Sequence, residues 1–307
     1  MNLKQLKYVL VLSETKSFSK AAEVLNISQP SLSQYIKKIE KEVGLDLFVR
    51  SGGNVRISEA GKVYIDASRK ILDIEHQLQN QLADIESNRT GTIIIGISPY
   101  RSVHLMPQVV KKFHELHPGI KLVLDERSGL DLFEGASRGD FDIFVTAPSE
   151  NTIGYITKHM MYEELILAVP KDSDLCAELS KSSKKVNDRL FPVIDINSIN
   201  GKDVISLGEY MPIRLRTDEL CSQYNLMFNT VLEVRSNEAL ISAVTSGVGA
   251  AIVPDCLSLY DEDNKRITFF SFEQDIPRRE IVLAYRKDQY LSQPINDLIE
   301  IMQNITL

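Results

Sequence analysis

The sequence predicts a multidomain α+β chain: a small helical head closed by a β-hairpin, one long helix, and a body of two α/β lobes. Three observations predict it. Apolar residues recur at helical spacing through residues 3–43, with capping serines between the runs. A helical pattern with neither proline nor glycine then fills residues 62–89. From residue 92 short apolar runs alternate with helical stretches, the mark of βαβ units in a mostly parallel sheet.

At 307 residues the chain can hold two or three cores. No apolar run reaches the ~18 residues of a membrane helix. The first fifteen residues are amphipathic and lack a small-residue cleavage site, so the expected location is the cytoplasm. Cys176, Cys221 and Cys256 are odd in number and far apart, which predicts reduced thiols. Net charge is −7, which excludes a uniformly basic nucleic-acid binder. Its distribution is uneven: residues 1–60 hold nine Lys/Arg and six Asp/Glu, hence +3, and the remainder carries −10. A basic head on an acidic body can still meet DNA, because counterion release depends on the contacting patch.

In the head, Leu3, Leu6, Val9 and Leu10 mark a first helix. Ser17 caps a second, whose stripe is Phe18, Ala21, Ala22 and Leu25; the two alanines permit a close crossing. A turn at 26–28 leads to a third helix, capped by Ser28, with Pro30 in its first turn and Gly44 at its end. Leu32, Ile36, Ile39 and Val43 are its inward stripe. That leaves Gln29, Ser31, Ser33, Gln34, Lys37 and Lys38 outside, where a helix-turn-helix presents its second helix to the major groove. Short hydroxyl and amide groups reach base edges there, and lysines meet phosphates. On helix pattern alone, a plain solvated amphipathic helix explains the same residues. Residues 47–50 and 55–57 flank Ser-Gly-Gly-Asn as a hairpin, with Arg50 and Arg56 beside its tip as a wing for the DNA backbone or minor groove.

Residues 1–61 resemble the winged helix-turn-helix of LysR-type transcriptional regulators. The match rests on Phe18, Ala21-Ala22, Leu25, Ser28-Gln29-Pro30-Ser31-Leu32-Ser33, Ile36, Ile39-Glu40, Gly44, Leu47-Phe48, Arg50 and Ser58-Glu59-Ala60-Gly61. The resemblance implies a sequence-specific DNA-binding regulator, not an enzyme, that contacts DNA through Gln29, Pro30 and Ser33. Position 34, often basic in the family, is Gln34 here. The full set of expected DNA contacts is Ser28, Gln29, Pro30, Ser31, Ser33, Gln34, Lys37, Lys38, Arg50 and Arg56. The implied partners are double-stranded promoter DNA with an inverted-repeat site, a second copy of the chain in a dimer or tetramer, and RNA polymerase; no membrane is implied.

Ser58 caps the long helix, along which Tyr64, Ala67, Ile71, Ile74, Leu78, Leu82 and Ile85 form a stripe narrow enough to want a partner helix. The resemblance implies the same pairing in a dimer. Residues 87–91 are a hinge. The body then reads as strands at 92–97, 120–126 and 141–146 with helices between them. A second series opens at 164–170 and runs through strands at 203–207 and 230–234, helices near 213–224 and 237–246, and a strand at 249–254. Residues 267–272, 281–286 and a helix at 292–303 close it. The resemblance implies a two-lobed, periplasmic-binding-protein-like type 2 body. The expected domains are the head at 1–58, the linker and hinge at 59–90, lobe I at 91–163 with 267–307, and lobe II at 164–266.

In open α/β sheets ligands bind at the carboxyl ends of strands, beside helix N-termini. Those ends carry Ser98, Tyr100, Arg101, Ser102, Arg127, Ser128, Thr146, Tyr210 and Arg214, the expected effector site; the resemblance implies Ser98, the 100–102 turn and Ser128. Arg101, Arg127 and Arg214 point to a carboxylate or phosphate. Neither a cofactor nor a metal is expected: His114-Glu115-Leu116-His117 lacks HExxH spacing and a third ligand, and CxxC, G-x-S-x-G and G-x-G-x-x-G are absent. The competing class is a solute receptor or enzyme on the two-lobe fold, against which the missing export signal and catalytic constellation speak.

Overall fold

The structure, a computed structural model, describes residues 2–51, 54–85, 90–127, 129–187, 189–209, 211–261 and 266–305. Three helices build the head: α1 (Leu3–Thr15), α2 (Phe18–Val24) and α3 (Gln29–Val43). Asn2, Ser17 and Ser28 cap them, each side chain accepting a backbone N–H three residues on. Val9, Leu12, Ala21, Leu32 and Ile36 have no solvent exposure and form the head's core. The hairpin β1 (Phe48–Ser51) and β2 (Asn54–Ile57) pairs antiparallel, with Phe48 opposite Ile57. Glu40 of α3 holds it in place by accepting from the N–H groups of Leu47 and Phe48 at 2.9 and 3.0 Å. The long helix α4 (Glu59–Ile85) starts beneath this hairpin. Its Gly61 is required there, because any Cβ would press into the Leu47 carbonyl.

Lobe I opens with β3 (Gly91–Ile97), α5 (Pro99–Leu116), β4 (Ile120–Glu126), α6 (Leu130–Arg138), β5 (Ile143–Thr146) and β6 (Tyr155–Glu163). Lobe II follows with β7 (Leu165–Pro170), α7 (Asp174–Ser182), β8 (Val193–Ile194), β9 (Asp203–Leu207), α8 (Pro212–Tyr224), β10 (Asn229–Val234), α9 (Asn237–Thr245), β11 (Ala251–Pro254) and β12 (Ile267–Phe272). The chain then returns to lobe I as β13 (Arg279–Arg286) and α10 (Gln293–Gln303).

Two expectations need correction. Residues 267–272 belong to lobe II, not lobe I: as β12 they pair antiparallel with β7 and parallel with β8, and Phe269, Phe270 and Phe272 pack in the lobe II core. The return crossing therefore lies between β12 and β13. The sheets are also less parallel than expected. In lobe I, ordered β4-β3-β5-β13-β6, the strands β3, β4, β5 and β6 run the same way, but β13 lies antiparallel between β5 and β6. In lobe II, β7 is antiparallel to β11 and β12, while β9 and β10 form a separate parallel pair. The chain crosses between the lobes twice, and a strand made on return need not follow βαβ handedness.

Candidate functional site

The α3 surface is set by its buried stripe. Leu32, Ile36 and Ile39 face the core, so Gln29, Pro30, Gln34, Lys37 and Lys38 are exposed on the opposite side with Ser33 half-buried among them. Ser28 is the cap that the sequence predicts, and it draws Ser31 into the cap with it. The Ser28 hydroxyl accepts from the Ser31 N–H at 3.3 Å and shares a hydrogen bond with the Ser31 hydroxyl at 2.7 Å, so the pair serves the cap first. Arg56 is exposed on the hairpin. The side chains of Arg50 and Ile85, like residues Ser128 and Tyr210, lie outside the described residues.

Along α4, Ile74, Leu78 and Leu82 are 66, 50 and 47 % exposed, a seam with no partner within the chain among the described residues. Val63, which the stripe omitted, is exposed too. Tyr64 leaves the seam, packing half-buried on the head core, and Ile71 is half-buried. A different face of α4 docks on lobe I. Asp73 meets Arg286 at 2.6 Å, and His76 Nε2 lies 3.2 Å from Asp142, a residue only 3 % exposed that also accepts from the Ile94 N–H at 2.7 Å. The hydrogen bond to Asp142 raises the His76 pKa, against a smaller opposing effect of burial. A raised folded-state pKa gives stability that is complete below about pH 6.5 and is lost as pH rises through the raised value. Melting of the wild type and His76→Gln should therefore differ most below the ordinary histidine pKa and converge as pH rises through the raised value. A difference that ignores pH would contradict this linkage.

Between the lobes lies a cavity of about 180 Å³. The N-cap residues of four helices line it: Ser98 of α5, Gly129 of α6, Met211 of α8 and Ser236 of α9. At the first three no side chain caps the helix, so the first-turn N–H groups are left to the helix end, although Pro99 and Pro212 leave the first position of α5 and α8 without one. Thr146, Tyr100 and Arg101 line it as expected, whereas Ser102 is buried away from it.

The arginines are redistributed. Arg127 is committed to Asp125 and Asp140, each at 2.7 Å, and lies outside the lining. Arg214 binds Asp218 at 2.7 Å and the Leu207 carbonyl at 2.8 Å, beside a separate lobe II hollow. Arg101 lines the cavity, but its guanidinium is held by the fully buried Glu163 at 2.9 Å. The other cations that line the cavity are Arg235, which is exposed, and Arg279, whose charge also acts on the buried Glu163; no salt bridge joins either to a described residue. Arg235 follows β10 directly, so the strand-end rule reaches it; Arg279 starts an antiparallel strand, and the rule does not. Asn237 and Glu238, at the start of α9, also line the cavity and were not foreseen. Among the described residues, no group of three His, Cys, Asp or Glu side chains is disposed to hold a metal ion.

A family profile described as LysR substrate binding domain matches residues 86–305, and one described as bacterial regulatory helix-turn-helix protein, lysR family, matches residues 3–62. The chain is 29 % identical over 308 residues to an uncharacterised HTH-type transcriptional regulator of Bacillus subtilis, YcgK, covering 98 % of this chain and 94 % of that protein. It is 27 % identical over 286 residues to a hydrogen peroxide-inducible genes activator of Haemophilus influenzae, covering 93 and 91 %. Among solved structures, a full-length OxyR variant from Pseudomonas aeruginosa superposes with a TM-score of 0.71 at 25 % identity, over 99 % of this chain and 94 % of that one. Full-length CbnR in complex with its target DNA gives 0.68 at 17 % identity, over 99 % of both chains.

Proposed function

The chain belongs to the LysR family of helix-turn-helix transcriptional regulators, and from that premise we propose that α3 reads promoter DNA with its leading edge while a small anion between the lobes sets how paired heads are spaced. The protein is thus a DNA-binding regulator with an effector domain, and its relatives are regulators rather than enzymes. One observation carries the anion reading: four helix N-termini converge on a cavity that also holds Arg235 and Arg279. Positive charge from helix ends and guanidinium groups favours a carboxylate or phosphate.

The exposed seam of α4 supports a dimer, and two-fold pairing of heads calls for an inverted repeat with half-sites whole helical turns apart. Three neighbouring strands supply a route from cavity to linker. β3 runs from the Ile94 N–H, bonded to Asp142, toward Ser98; β5 runs from just after Asp142 to Thr146; β13 runs back from Arg279 to Arg286. One end of each lies at the cavity; at the other, Arg286 of β13 binds Asp73 of α4, and Asp142, which precedes β5 and holds β3 at Ile94, binds His76. A ligand moves the heads through these strands only if it binds one lobe arrangement better than another.

A thiol-based peroxide response, which the name of one relative raises, finds little support in these cysteines. Burial pushes the Cys221 thiol up to about 11 and that of Cys256 well above its usual value, so the reactive thiolate is scarce at neutral pH.

The test is a footprint of the purified chain on the DNA upstream of its own gene, with and without a set of small organic acids. At least one acid should change operator affinity or footprint length, with a coupling of about 5–150-fold, and Arg279→Leu should abolish that response. Footprints that no acid alters, or a response that survives Arg279→Leu, would contradict the assignment.

A further inference from the structure

The lobe II wall of the cavity carries two acceptors to which no described residue donates. Asn237, the first residue of α9, is 5 % exposed, and its Oδ1 has no hydrogen-bond partner among the described residues. Next to it, Oε1 of Glu238 is buried and equally unpartnered. The local helix start does not serve them: the Ser236 hydroxyl is taken by the Ala239 N–H at 3.1 Å. Nor does either cavity arginine form an ion pair with Glu238. His104 of α5 feels the Glu238 charge, but burial, the larger effect, lowers its pKa.

Buried acceptors in native proteins nearly always have a donor, and one left bare marks a place where something else supplies it. An anion alone does not supply it here. A plain carboxylate satisfied by the helix ends and Arg279 would leave Asn237 and Glu238 facing its hydrocarbon, with their desolvation uncompensated. We infer that the cavity is built for a small carboxylic acid that also carries ammonium or hydroxyl donors: an amino acid or a hydroxy acid, its acid group toward the helix N-termini and Arg279 and its donors toward Asn237 and Glu238. At about 180 Å³ the space lies below the range of roughly 300–1,000 Å³ for drug-sized ligands, which limits the occupant to a small metabolite. This deepens the anion reading above and rests on it.

A site made to hydrogen-bond a donor rejects analogues lacking it, because its own polar groups are then left bare. The test is calorimetric titration of the full-length protein with pentanoate, its 2-amino and 2-hydroxy derivatives, and its 5-amino and 5-hydroxy derivatives. At least one donor-bearing acid should bind tenfold or more tighter than pentanoate, and Asn237→Leu should erase most of that margin. Glu238→Gln separates the two donor types: it should weaken an amino acid at least tenfold and a hydroxy acid much less. If pentanoate binds within threefold of every derivative, the donor requirement is wrong while the anion site stands. If none of the five acids binds to protein that melts cooperatively, the anion reading itself is overturned and this inference goes with it.

Discussion

Replacing Glu163 by leucine should destabilise the effector body by about 3–5 kcal/mol, the usual cost of stranding a buried partner charge. Glu163 has no exposed surface and sits at the end of β6, where the chain first crosses from lobe I to lobe II. It binds the Arg101 guanidinium at 2.9 Å and accepts from the Tyr100 hydroxyl at 3.0 Å, and Arg216 of α8 approaches its other oxygen at 3.7 Å. Burial alone would push its pKa up, but the charge and hydrogen bonds of Arg101, with Arg279 and Tyr100 behind it, hold it below the ordinary value. Its contribution is therefore present above about pH 4.3 and is lost as pH falls through the depressed value. For a body of this size the melting temperature should fall by about 6–20 °C. Glu163→Gln keeps the hydrogen-bond acceptor, loses the charge and should fall between. Pairing Glu163→Leu with Arg101→Met should recover much of the loss, because a hydrophobic pair often replaces a buried ion pair at little cost. A shift below about 1 kcal/mol for the single leucine variant would mean that water already reaches these arginines.

The second large effect concerns the linker. Ile74→Asp together with Leu78→Asp should convert the dimer to monomer and weaken operator binding by about 10²–10⁴-fold. Two heads held on one dimer bind the second half-site at high effective concentration, and that advantage vanishes when they part. The side chains are 66 and 50 % exposed in the single chain, so two aspartates there should leave the fold of the protomer intact. Sedimentation mass and operator affinity, measured on the same preparation, check both halves. A variant that keeps the mass of the wild type would show that the seam is not the dimer contact. Val63 lies on the same face of α4 about three turns nearer the head and belongs in any follow-up substitution.

The parts legible in the sequence are those fixed by local chemistry. Serine caps and four-residue spacing locate α2 and α3 because Ser17, Ser28, Leu32 and Ile36 act within one or two turns. Ser98 and Thr146 are correctly placed at the cavity because each ends a parallel strand. The arginine assignment is harder, since a guanidinium takes whatever carboxylate folding brings near. For Arg214 the competitor is in plain view, Asp218 one helical turn on; for Arg127 one partner is two residues away and another comes from Asp140. Arg279 is hidden for a topological reason, because it opens an antiparallel strand and reaches the cavity from its amino end. The lobe assignment of β12 fails because an apolar run such as Phe269-Phe270 is equally at home in either sheet, and only pairing with β7 decides. Nothing local announces that Asn237 lacks a partner, since that depends on the opposite lobe.

The central claim is that the edge of α3 touches base edges, and one equilibrium comparison tests it most directly. Wild type and Gln29→Ala are each titrated onto the promoter fragment and onto a scrambled fragment of the same length and salt. The wild type should prefer the promoter clearly, and Gln29→Ala should lose about 1–3 kcal/mol on the promoter with little change on scrambled DNA. Equal wild-type affinity for both fragments, or a Gln29→Ala variant that discriminates as well as its parent, would contradict the account.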